Sequence, residues 1–62
     1  MTITNKYGEK ITASKEVLNY LSLALEDGAE RQAEKGHDVL EKAYQEWADL
    51  IYKALKDCGY YQ

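Results

Sequence analysis

The stretch Lys35-Gly36-His37-Asp38-Val39-Leu40-Glu41-Lys42, KGHDVLEK, decides how this chain folds. Before it runs KEVLNYLSLALEDGAERQAEK, residues 15–35, and after it AYQEWADLIYKAL, residues 43–55; both read as helix. Gly36 suits the left-handed position just past a helix end. Asp38 and Glu41 have the spacing of a capping box, with an acid where Ser or Thr is usual. One helix therefore stops at Lys35 and a second begins at about Val39. A connection this short between two long helices makes them antiparallel neighbours.

Working back from the break, Tyr20, Ala24, Val17, Gly28, Leu21, Leu25, Leu18 and Ala29 fall on one arc of about 180°. Ser14 is the expected N-cap, with Glu16 favourable to the helix dipole. Gly28 lies inside that arc, where a missing side chain lets another helix come close. Working forward, Leu40, Ala43, Tyr44, Trp47, Ile51, Ala54, Leu55 and Cys58 form the core stripe of the second helix. Val39 and Leu50 extend it on one side, Ala48 and Tyr52 on the other, to roughly 200°. Gly59 should end this helix, with Tyr60 folding back on Leu55 as in a Schellman ending.

Ahead of both helices, TITNKYGEKITA (residues 2–13) has the pattern of a β-hairpin. Thr2, Ile3 and Thr4 make one β-branched arm, and Ile11 and Thr12 the other. Asn5 and Gly8 supply the turn chemistry. Two short strands are not stable alone in water, so they must rest on the helices. The expected fold is mainly α in a single domain over 1–62: a hairpin at 2–12, helices at 14–35 and 38–58, and completion by oligomerisation.

That last element follows from the excess of apolar circumference. One antiparallel partner needs a stripe of about 100° or slightly more, and both helices exceed it. Leu23 stands apart from the first arc, among Asn19, Glu26 and Glu30. Soluble monomers rarely leave more than a few hundred Å² of contiguous apolar surface wet. A two-fold dimer forming a four-helix bundle is the simplest cover.

Composition narrows the possible work. The chain has 62 residues and a net charge of −3. Residues 26–49 hold eight acids against three bases, a net of −5, and the remainder carries +2. A single arginine and an acidic middle argue against direct nucleic-acid binding, which needs a basic footprint. There is no run of about 18 apolar residues to span a membrane and no secretory apolar core. With one cysteine, Cys58, the expectation is a reducing, cytoplasmic setting.

The residues of reaction chemistry are dispersed. His37 sits in the turn and Cys58 near the far end of the second helix, some 30 Å away at 1.5 Å per residue. They cannot pair as base and nucleophile within one chain. His37, Asp38 and Glu41 are a thin ligand set for a metal, and capping already accounts for the acids. No phosphate loop or serine triad is present. No catalytic residue, metal or cofactor is expected.

Six tyrosines and one tryptophan without any phenylalanine are an unusual set for a core. Tyr and Trp are favoured where one molecule meets another. The expected function is thus non-catalytic protein binding. Tyr7, Tyr60 and Tyr61 would be anchors, Leu23, Leu50 and Tyr52 apolar contacts, and Glu26, Glu30 and Glu34 an acidic strip for a basic surface. Pairs such as Asp27–Arg31 and Asp49–Lys53 at i, i+4 temper the charge of these helices. Small, acidic, tyrosine-rich chains are common in phages and mobile elements, so inhibition of a host machine is one expected role. Two alternatives are an oligomer that holds a nucleotide-like ligand against its aromatic rings, and a structural subunit of a larger particle.

Overall fold

The computed structural model describes residues 1–61. Strands β1 (Thr2–Thr4) and β2 (Lys10–Thr12) are followed by helices α1 (Lys15–Glu34) and α2 (Asp38–Asp57). The strands pair antiparallel with Ile3 opposite Ile11 and Thr2 opposite Thr12. The turn forms around Asn5, which bonds through both its backbone and its side chain. Its carbonyl accepts from Gly8 N at 3.1 Å. Its Oδ1 accepts from Tyr7 N at 2.9 Å and Glu9 N at 3.0 Å. Gly8 closes the loop at φ 82°, a left-handed value that glycine adopts without strain.

Both helices begin and end for reasons that can be traced to single residues. Ser14 Oγ accepts from Val17 N at 3.2 Å, the expected N-cap. At the end of α1, Gly36 has φ 75°, His37 N donates to Gln32 O and Gly36 N to Ala33 O. That is a full Schellman motif. The end of α2 repeats it: Gly59 has φ 82°, Tyr60 N donates to Leu55 O and Gly59 N to Lys56 O.

The expected capping box at Asp38 and Glu41 is not formed. His37 is the N-cap, its side chain makes no capping bond, and Asp38 is already the first helical residue. The cause is the economy of the link. His37 completes the Schellman motif of α1 with its N–H, and its carbonyl accepts Glu41 N at 2.9 Å to open α2. One residue closes one helix and starts the next, which moves the cap a position earlier. Asp38 and Glu41 remain in the first turn of α2, where their charges suit the dipole.

Ile3, Leu18, Ile51 and Leu55 form the buried centre, and Ala29 and Ala48 close the seam between the helices. Ile11, Leu21, Leu25, Trp47, Leu50, Ala54 and Tyr60 pack half-buried around it. β1 rests on α2. The helices are rotated relative to the faces expected for them. On α1 the covered arc runs from Gly28 through Leu18 to Ser22, about 120°. Val17, Tyr20 and Ala24, expected in the core, are exposed. On α2 the centre lies towards Ala48, which is fully buried, and away from Leu40 and Ala43, which are exposed. Cys58, expected on the core stripe, is exposed at the C-cap. A single partner helix covers only so much circumference, and the small Ala29 and Ala48 are among the positions it buries.

Candidate interaction surface

The molecule is a slab with extents of 35 × 25 × 16 Å. Its surface area is 4510 Å², against roughly 4,100 Å² expected for a folded chain of this mass. Large apolar side chains exposed on the helices include Val17, Tyr20, Leu23, Val39, Leu40 and Tyr52.

One side of the helix pair carries an aromatic ledge. The Tyr52 and Tyr61 ring centroids lie 5.3 Å apart, and Tyr60 meets Tyr61 edge-on at 5.2 Å. Tyr61 Oη donates to Asn19 Oδ1 at 2.7 Å, tying the tail to α1. This bond fixes which flank of α1 borders the ledge. Leu23, Glu26 and Glu30 follow Asn19 at helical spacing, within about 40° of it around the axis. Leu23 is 58% exposed, and Glu26, Glu30 and Glu34 are exposed. Thus Tyr52, Tyr61, Leu23 and the glutamates share one side of the molecule, although 42 residues of chain separate Asn19 from Tyr61.

The other expected contacts lie elsewhere. Tyr60 is half-buried against the core rather than free, because the Schellman turn folds it back towards Leu55. Tyr7, 71% exposed, stands alone at the hairpin tip, with Lys6 Nζ 5.2 Å from its ring centroid. Leu50 lies on the opposite flank of α2 from Tyr52. It lines an open groove of about 380 Å³ with Asn5, Lys6, Glu46, Asp49 and Lys53. A Lys6–Glu46 ion pair at 3.5 Å spans that groove and holds the hairpin loop to α2. The Lys6 ammonium is held above its usual pKa, chiefly by the Glu46 carboxylate and then by Tyr7. Among the i, i+4 pairs expected on the helices, Asp27–Arg31 closes at 3.1 Å.

Some exposed residues escaped the sequence reading. Tyr20 is 77% exposed and Val39 82%. Both had been placed on or beside apolar faces, and only knowledge of the helix rotation separates covered from uncovered positions. Asn19, the residue that anchors Tyr61, carries no signal in one dimension. His37, exposed in the turn, pairs its Nδ1 with Gln32 Oε1 at 2.8 Å. Among the described residues no helix is long and apolar enough to cross a membrane. No protein-family model, curated protein or solved structure matches the chain.

Proposed function

We propose that this chain is a non-catalytic protein-interaction module. It works as a two-fold dimer and offers the Tyr52–Tyr61 ledge, with Leu23 and the adjoining glutamates, to a basic surface on another protein. The observation that carries the reading is the ledge itself. Two tyrosines are prepositioned by mutual packing and by the bond to Asn19, so docking costs little side-chain entropy. Their rings are half exposed beside an exposed leucine, the composition of an interface centre. The glutamate row adds long-range attraction for a cationic partner. The dimer is supported by the large apolar side chains that one helix partner leaves exposed.

Affinity capture from the native cell tests the docking role, run in parallel with the parent chain, Tyr52→Ala and the triple change of Glu26, Glu30 and Glu34 to Ala. A protein retained by the parent and lost by Tyr52→Ala is the expected result. The triple change should weaken its binding and flatten the salt dependence. Equal retention by all three chains would remove the ledge from the proposal.

A further inference from the structure

The Tyr52–Tyr61 ledge has a chemistry more particular than that of an apolar patch. Tyr61 Oη donates to Asn19 Oδ1 at 2.7 Å, which holds the Asn19 amide in place and leaves its Nδ2 donor to be used. Among the described residues that Nδ2 has no partner, and neither has the hydroxyl of Tyr52, a residue 50% exposed. Ring faces therefore lie beside open hydrogen-bond donors. The surface beneath them is two helices, whose backbone groups bond within each helix, so the ledge has no strand edge to offer a ligand.

Those features select a ligand conformation. A helix arrives with its carbonyls already bonded, and an extended strand brings amide donors that need a sheet edge to receive them. A polyproline II segment has every carbonyl free, and its prolines contribute no backbone N–H. Pyrrolidine rings are apolar and dock on aromatic faces, the mode by which aromatic-lined surfaces hold proline-rich peptides. Both sides are stiff before they meet, since the two tyrosines pack on each other and the peptide is preformed, so ordering costs little. We infer that the ledge binds a proline-rich segment in the polyproline II conformation, with a lysine or arginine one turn beyond the docked proline. The inference rests on the docking role proposed above and names the chemistry of the partner.

Charge complementarity places the basic residue. Glu26 and Glu30 are exposed and follow Asn19 on the same side of α1. Glu26 stands two helical turns beyond Asn19, roughly 10 Å along the axis at 1.5 Å per residue. One turn of polyproline II, three residues of about 3.1 Å each, covers ~9 Å. A cationic side chain one such turn past the docked proline therefore comes opposite Glu26. The same carboxylates repel phosphates, which disfavours single-stranded nucleic acid as the molecule stacked on these rings.

Titration of the full chain with synthetic peptides of blocked termini tests this, read by calorimetry and by the NMR signal of the Asn19 side-chain amide. The probes are a proline octamer, the octamer extended by two arginines, and a glycine–serine peptide carrying the same two arginines. Both proline peptides should bind and shift the Asn19 amide, the arginine form more tightly, and the glycine–serine peptide should not. Tyr52→Ala should abolish the binding with helix content unchanged by circular dichroism. Asn19→Asp keeps the acceptor for Tyr61 and removes the donor, and should weaken the neutral octamer about fivefold, the loss of one hydrogen bond. Glu26→Gln should reduce the advantage of the arginine form and leave the neutral octamer as it was. Equal binding of the two arginine peptides would overturn the proline assignment, and its loss in Tyr52→Ala would leave the docking role of the ledge standing. Proline binding that survives Tyr52→Ala would overturn this site. If no peptide binds, the proline assignment fails, and affinity capture judges the docking role separately.

Discussion

A β-carbon added at Gly28 would lie 3.1 Å from Tyr44 Cδ2 and 3.2 Å from Cε2. The absent side chain is where the tyrosine ring rests. Alanine there should gain up to about 1 kcal/mol of helix propensity and lose much of it to the ring. The gain in urea unfolding should therefore be small for Gly28→Ala alone and approach the full propensity value when Tyr44→Leu is already present. An equal effect in both backgrounds would mean the ring is not what limits residue 28. Close approach at Gly28 was legible in the sequence from its place on the apolar arc. Its neighbour was not, because Tyr44 is selected by the rotation of α2. Lys6 is a second residue whose role depends on a distant partner. Its pKa is raised above 10.5, first by Glu46. A raised lysine pKa stabilises the fold fully below the unfolded value, and that contribution is lost as pH rises through the folded value. Lys6→Met should reduce hydrogen-exchange protection of Ile3 and Ile11 at neutral pH. Parent and variant should converge in circular-dichroism melts once the pH passes the lysine range.

At the scale of elements, the ends were easier to read than the faces. Ser14, Gly36 and Gly59 act through local chemistry, and their roles could be read from adjacent residues alone. Gly36 and Gly59 close their helices with the same pair of backbone bonds. Ser14→Ala should cost about 1 kcal/mol. Gly36→Ala, forced to a positive φ, should cost more than the ~1 kcal/mol that alanine gains at a compatible position. Both are measurable by urea titration, and a neutral Gly36→Ala would mean that the turn between the helices relaxes into another shape. The missed capping box has the same local origin: sequence spacing permitted Asp38, but the Schellman motif of α1 had already enlisted His37. Helix rotation is different in kind. It is set by which residues meet across the seam, here Gly28 and the Tyr44 ring among them, and an arc of about 180° offers several candidates of similar quality. For that reason Tyr20, Val17, Leu40 and Ala43 were assigned to a core from which they are absent.

For the whole molecule, size sets the terms. At the usual 0.05–0.15 kcal/mol per residue, a chain this short has about 3–9 kcal/mol of stability. Its centre holds three large side chains with no exposure: Leu18, Ile51 and Leu55. Replacing Ile51 by alanine should cost about 2–5 kcal/mol, enough to bring the monomer near or past its unfolding midpoint. The proposed dimerisation changes that outcome in a way a purely monomeric fold could not. Binding that favours the native state adds stability by mass action, so the melting temperature must rise with protein concentration. The parent should therefore show a melting midpoint that climbs across a hundredfold dilution series, and Ile51→Ala should regain helix content at the concentrated end. A parent midpoint that stays constant across the series would remove the dimer from the proposed function.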